Sequence, residues 1–391
     1  MLEGIRVIDL GAFITAPLAG MMLADLGADV IKIEPPEGDA FRRGHGGSYS
    51  ATFVAYNRNK RSLVLDLNDA KARATFAALV ARADVLIDNF RPSALKKLGL
   101  DSDALRAANP RLVHCSITGF GTTGPYRDRP AFDAVGQALS GIASLFVDPA
   151  APHCFGPTIA DNVTGMYACT GILGALVERN RTGCGRRIEV NMLEASMAFV
   201  PDAFTNLTRS GIEDNRFSRV SRSQSFAFRC GDGRLIALQL STREKFWLEL
   251  LGALGAEDLA TDARFAAHQR RVDNFHALEE ALAPHFAARP RAEWMARLAA
   301  TDVPFAPINT LADALADPQV EALGTKVVLR HPREGEIVTI ACPILADGAR
   351  PRARMSAPPT LGEHSEEVLA ELARDQAGDQ SGGGALGKVS T

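Results

Sequence analysis

No run of 18 consecutive apolar residues occurs in the 391-residue chain, so no stretch reads as a membrane-spanning helix. Nor is there a basic block. Lys and Arg number 43 against 46 Asp and Glu, a formal net charge of −3, and nothing points to nucleic acid as a partner. The six cysteines, at positions 115, 154, 169, 184, 230 and 342, contain no C-x-x-C pair and no histidine at metal-ligand spacing. That argues against a metal site and leaves reduced, mostly buried thiols as the expectation. The chain opens directly on a strand pattern rather than on a charged-then-apolar leader, so a soluble, cytoplasmic protein is expected. What is present is ordinary for a globular protein: 46% hydrophobic and 23% charged residues, with a length that suggests two or three domains.

The first thirty residues read as strand, helix and strand. Ile5-Arg-Val-Ile-Asp-Leu10 is closed by Gly11, a small-residue helix spans 16–26, and Val30-Ile-Lys-Ile-Glu34 follows. This is a βαβ unit of parallel-sheet type. Its first turn, Gly11-Ala-Phe-Ile-Thr-Ala-Pro17, has one glycine and a proline where a dinucleotide fingerprint needs G-x-G-x-x-G, so NAD is not expected. Phe41-Arg-Arg-Gly-His-Gly-Gly47 places two arginines beside glycines; an anion site and a solvated loop are both open there. Further strands are expected at 62–67, 84–88 and 111–117. Asn89, Phe90 and Lys97 follow the strand at 84–88, where ligands of open α/β sheets bind. The loop Thr118-Gly-Phe-Gly-Thr-Thr-Gly-Pro-Tyr-Arg-Asp-Arg-Pro130 lacks the lysine of a phosphate loop and reads instead as a shaping active-site loop.

The centre of the chain is Ile159-Ala-Asp-Asn-Val-Thr-Gly-Met-Tyr-Ala-Cys-Thr-Gly-Ile-Leu-Gly-Ala-Leu176. Small residues interleave with large apolar ones from about 162 to 177, the texture of a helix packed closely on most faces. Asp161 stands at its entrance. One use for a carboxylate there is an N-cap; another is a nucleophile aimed into a dry pocket.

Beyond 212 the pattern changes. Residues 213–225 read as a polar crossing segment. A hairpin turning at Gly231-Asp-Gly233 and helices near 245–254, 272–286 and 291–300 make a smaller α+β domain at 226–312. His268, His276 and His285 fall on polar helical faces and read as surface residues. The chain then returns through a linker at 313–374, ending in a helix from 365, and residues 375–391 read as a disordered tail.

The ordered set Val7-Ile-Asp-Leu10, Leu26-Gly-Ala-Asp-Val-Ile-Lys-Ile-Glu34, Asp88-Asn-Phe90, Ser116-Ile-Thr-Gly-Phe-Gly121, Asp133, Asp161, Gly171-Ile-Leu-Gly-Ala-Leu176 and Leu361-Gly-Glu-His364 resembles the family III coenzyme A transferases. That superfamily includes formyl-CoA transferase, carnitine-CoA transferase and α-methylacyl-CoA racemase, and the resemblance runs to about residue 373. It implies a Rossmann-like large domain at 1–212 that binds CoA and carries catalysis, and an interlocked homodimer. Asp161 takes the catalytic aspartate position. Phe13, Thr15, Arg42, Leu65, Asn89, Phe90 and Lys97 take positions of CoA contacts, and Ile14, Phe132 and Asp133, with the region of Phe155, border the substrate pocket. The resemblance implies no tightly bound cofactor, with acyl-CoA and a carboxylic acid as substrates.

Two departures narrow the reading. Ile14 stands where formyl-CoA transferase has a glutamine, which disfavours oxalate, and Phe132 stands where the racemase branch has a histidine. A CoA transferase is therefore expected ahead of a racemase or other CoA-linked isomerase, with a non-catalytic CoA-binding module as a third reading.

Overall fold

The computed structural model describes residues 1–44, 47–154, 156–351 and 355–382. Strands β1 (Arg6–Asp9), β2 (Asp29–Glu34), β3 (Lys60–Val64), β4 (Val85–Asp88), β5 (Val113–Thr118) and β6 (Arg187–Asn191) form one parallel sheet, ordered β3-β2-β1-β4-β5-β6. Their continuous Val and Ile runs are what a sheet covered on both faces requires. Successive side chains of β1 go to opposite cores: Val7 packs with the cluster containing Ala168, Ile172 and Leu176, and Ile8 with that containing Phe76, Leu79 and Leu105. Winding reverses between β1 and β4, so the loops leaving those two strands diverge and open a crevice at their carboxyl ends.

The helices of this unit are α1 (Thr15–Asp25), α2 (Ala51–Tyr56), α3 (Ala70–Val80), α4 (Pro92–Lys97), α5 (Ser102–Ala108), α6 (Asp133–Leu139), α7 (Ile159–Thr182) and α8 (Met192–Phe199). α7 approaches α1 closely because Gly165 faces it; a Cβ there would lie 2.8 Å from the Thr15 carbonyl oxygen. The helix ends at Gly183, whose φ of 75° suits glycine and whose N–H donates to the Arg179 carbonyl. Its start is three residues earlier than the small-residue pattern indicated. Asp161 is therefore the third helical residue, with Thr158 at the N-cap.

The chain divides into two compact units: residues 1–143, 156–201 and 324 onward in one, 144–155 and 202–323 in the other. The smaller unit begins earlier than the 226 read from sequence and extends past 312. Polar ties account for this. Asp214 accepts from Arg222 and Asn206, ordering the segment that looked irregular, and Arg216 pairs with Asp148 at 2.9 Å. Its sheet of β7 (Ser225–Arg229), β8 (Leu235–Gln239) and β9 (Phe305–Pro307) packs Phe226 and Phe228 onto Phe275 and Phe286. In the larger unit the helical run after β6 is broken at Val200, which precedes Pro201 and takes a non-helical conformation.

The C-terminal helix, Ser365–Gly382, corrects the expected tail, because helix continues through 382 where disorder was placed from 375. Arg6 reaches both Glu371 and Asp375, anchoring that extra length to the sheet. Residues 383–391 lie outside those described. Among the described residues no helix is long and apolar enough to cross a membrane.

Candidate active site

The crevice between β1 and β4 is floored by the loop from Gly11 to Ile14, and three side chains hold that loop. Lys32 donates to the Gly11 carbonyl at 2.7 Å. Asn89, leaving β4, accepts from the Ala12 N–H at 3.0 Å and donates back to its carbonyl at 2.7 Å, with a third bond to the Thr15 hydroxyl. Asp39 accepts from the Phe13 N–H at 3.4 Å. Phe13 itself is left-handed, with φ of 64°. A non-glycine residue holds that conformation only where its surroundings over-determine it, and these bonds do so.

Beneath the loop lies a buried charge network. Asp9 pairs with Lys60 at 2.8 Å, Lys32 with Asp39 at 2.9 Å, and Glu34 with Arg42 at 2.6 Å. Burial pushes the Asp9 and Glu34 carboxyls up, but cationic partners pull both below the usual carboxylate range: Lys60 and Lys32 for Asp9, Arg42 and Lys32 for Glu34. This corrects the role expected for Arg42. Its guanidinium makes two bonds to Glu34 and one to the Pro359 carbonyl, lies 3.6 Å from the Phe53 ring centre, and is 1% exposed. It is a structural pillar. The exposed neighbour Arg43 lines a cavity instead; on the tight helical turn Ala40–Arg43, adjacent side chains point in different directions.

Two cavities adjoin in the crevice. One, of about 230 Å³, is lined by Phe13, Ile14, Thr15, Asn89, Phe90, Phe132 and Asp161. The other, of about 390 Å³, is lined by Leu65, Phe90, Leu98, Pro35, Arg43 and Asn68. Phe90 is common to both. Phe13 meets Phe132 edge-on at 5.6 Å. Lys97, exposed at the end of α4, lines neither cavity, although the next residue Leu98 does. Phe155 lies outside the described residues. The sequence reading missed Arg91, Arg127 and Arg129, which also line the first cavity; the pair flanking Asp128 was visible in a loop read only for its glycines.

Asp161 is the chemically distinctive group. As the third residue of α7 it is not the N-cap. The carboxylate of Asp133, at the start of α6, accepts the Asp161 N–H at 3.2 Å and the Gln137 amide at 2.5 Å. The structural duty of a helix-entrance carboxylate therefore falls to Asp133, and the Asp161 side chain is released from it. Among the described residues nothing hydrogen-bonds or ion-pairs with its carboxyl. Burial, and secondarily the charge of Asp133, raise it to about 6. At neutral pH it is still mostly ionised, yet poorly solvated and without a counter-ion, as suits a carboxylate nucleophile.

A doubly wound α/β sheet whose crevice holds a carboxylate without a partner among the described residues defines an α/β protein of the kind that binds ligands at the carboxyl ends of its strands. The family follows from comparison with known proteins. The model for CoA-transferase family III matches residues 2–365, and the chain belongs to that family. It is 36% identical to the succinate–glutarate CoA-transferase of Agrobacterium fabrum over 95% of each chain. It is equally identical to the succinyl-CoA–L-malate CoA-transferase beta subunit of Chloroflexus aurantiacus, over 95% of this chain and 94% of that one. Among solved structures it resembles a CAIB/BAIF family protein from Brucella suis, with a TM-score of 0.84 at 36% identity, covering 95% of this chain and 98% of that one. The protein is thus a transferase whose family uses CoA thioesters as substrates.

Proposed function

We propose that the protein moves CoA from an acyl-CoA to a free carboxylic acid with Asp161 as the nucleophile. The observation that carries this is the Asp161 carboxyl, desolvated and without a partner at the mouth of α7. Its oxygen attacks the thioester carbonyl; the C–S bond breaks, giving an aspartyl mixed anhydride and CoA thiolate. The thiolate attacks the aspartyl carbonyl, the donor acid leaves as its carboxylate, and Asp161 holds CoA as a thioester. The acceptor carboxylate attacks that thioester, releasing thiolate and forming a second anhydride. Attack of the thiolate on the acceptor carbonyl yields the new acyl-CoA and restores the Asp161 carboxylate. No step needs a general base, because each nucleophile is already an anion.

The cavity holding Leu65, Phe90 and Arg43 suits the nucleotide portion of CoA, and that holding Asp161 the acyl portion. Asn89 acts by fixing the Gly11–Ile14 loop, and Asp133 by capping α7. A racemase would need a second acid–base group facing the α-carbon, and Phe132 offers only a hydrocarbon ring. The relatives' names support succinyl-CoA as a donor and small carboxylic acids as acceptors. Met166, Tyr167 and Val177 on α7 and Met197 and Phe199 on α8 are exposed, an apolar surface that supports homodimer formation. Incubation with succinyl-CoA followed by hydroxylamine should convert one residue to a hydroxamate. Peptide mapping is expected to place it at Asp161, and a label elsewhere overturns the assignment.

A further inference from the structure

The loop from Thr118 to Ala131 is pinched at its neck. A Cβ on Gly119 would lie 2.3 Å from that of Ala131, so only glycine lets the two limbs meet. The neck and the arginines just before it line the Asp161 cavity. Within the loop the Arg129 guanidinium rests 4.6 Å from the ring centre of Tyr126 and 6.0 Å from that of Phe120. The two rings themselves meet edge-on at 6.1 Å. Stacking orients the plane of the fork while leaving its N–H groups unused. Among the described residues no carboxylate pairs with Arg129; Arg127 has only its exposed neighbour Asp128. Nor do these cations neutralise Asp161, whose carboxyl is shifted upward by burial and Asp133. The lining of this one cavity therefore combines the Asp161 carboxylate with two arginines that make no ion pair with it.

We infer that Arg129, assisted by Arg127, receives a second carboxylate on the acceptor acid, making the protein selective for dicarboxylates over monocarboxylates of equal length. A planar guanidinium accepts a carboxylate through two parallel N–H···O bonds. Those bonds form with the ground state and persist through the reaction, so their loss should fall on KM rather than kcat. The inference rests on the CoA-transfer reading only for which carboxylate reacts; binding of a dicarboxylate can be measured without it.

The test pairs glutarate with pentanoate, in which a methyl group replaces one carboxylate, using succinyl-CoA as donor. In R129Q the KM for glutarate is expected to rise roughly 10- to 100-fold, as for loss of a charge-assisted pair. Its kcat and the weak use of pentanoate should stay within about twofold, since uniform binding alone is lost. R129K should recover part of the loss, because a lysine keeps the charge but not the fork, and R127Q should show a smaller rise. An unchanged glutarate KM in both R129Q and R127Q overturns the inference, as does a parallel loss of glutarate and pentanoate use, which would mean loop damage. Calorimetric titration of glutarate into the protein without CoA separates the two readings. If no acid is turned over but glutarate binds and R129Q abolishes that binding, the transferase reading fails and this inference stands. If glutarate does not bind, or binds R129Q equally, this inference fails whatever the turnover.

Discussion

Carboxylates meet opposite fates in the two halves of the crevice. Under the first loop Asp9, Glu34 and Asp39 are buried, and each faces a buried cation in Lys60, Arg42 or Lys32. At the mouth of α7 Asp161 is partly buried and makes no ion pair among the described residues, and its close acidic neighbour Asp133 raises its proton affinity further. Removal from water costs a charge several kcal/mol unless a partner offsets it. The paired set accepts that arrangement and is held in place; the unpaired one is the group to which the proposed mechanism assigns the chemistry. Within one cavity system, the missing counter-ion separates the chemical group from its scaffold.

The sharpest break in this comparison is Asp161→Asn, which keeps the shape and removes the charge. Transfer should fall on the order of 10⁴-fold or more, as when a covalent nucleophile is lost. The variant should also be more stable at pH 7. The folded-state value of about 6 exceeds the unfolded 3.8, so the native protein binds more protons between those values, and stability falls as pH rises through that window. Asparagine removes the penalty, worth roughly 3 kcal/mol at neutral pH. Thermal melts should show the gap between variant and wild type wide at pH 7 and closed near pH 4. A destabilised variant at pH 7 would show that Asp161 has a structural partner. In the wild type, kcat/KM should rise with pH through a limb near 6.

Arg42→Met tests the opposite class. It strands Glu34, and denaturant unfolding should show a loss of roughly 3–5 kcal/mol, as when one member of a buried ion pair is removed. Adding Glu34→Leu should return part of that loss, while the Ser62 hydroxyl and Asp39 N–H, which also donate to Glu34, still lose their acceptor. A loss below about 1 kcal/mol would mean that the guanidinium is solvated and available to a phosphate after all.

Asn89→Ala has a smaller expected effect, because the side chain carries no charge. Its bonds to Ala12 and Thr15 are worth about 1–2 kcal/mol together in net stability. The functional cost should be larger than the structural one, since the loop they fix walls the cavity holding Asp161. The KM for acyl-CoA should rise several-fold while hydroxylamine still labels Asp161. An unaltered KM would assign the loop no part in substrate binding.

The parallel strands were legible because buried strands write continuous Val and Ile runs between small-residue helices, whereas their order came only with the family resemblance. Asp161 was singled out through resemblance, and the freedom of its carboxyl was not legible. That freedom goes with Asp133, 28 residues away, whose carboxylate accepts the backbone N–H of Asp161 itself and so serves the first turn of the helix. The ties that hold Arg42 and Asn89 were hidden for a related reason. A cation or amide beside glycines looks available in sequence, and only tertiary pairing with Glu34 or with the Ala12 peptide shows it to be occupied. The tail was misjudged because 375–382 is weakly helical by composition, while Arg6 anchors the start of that stretch at Asp375.

The least expected change in stability comes from Phe13→Gly, and the balance behind it is informative. At φ of 64° the phenylalanine backbone is strained by about 1 kcal/mol, which glycine would relieve. Glycine also raises the entropy of the unfolded chain and forfeits the edge contacts with Phe41 at 5.4 Å and Phe132 at 5.6 Å, together worth about as much. Stability should therefore move by less than about 1 kcal/mol. Transfer should nevertheless fall, because the ring closes one side of the cavity and keeps water from hydrolysable anhydride and thioester intermediates. The expected signature is a higher ratio of hydrolysis to transfer, read as free CoA released per acyl-CoA formed. If that ratio is unchanged while transfer drops, Phe13 positions the substrate and water is excluded elsewhere. If neither moves, the left-handed residue is a by-product of the turn that Asn89 and Asp39 impose.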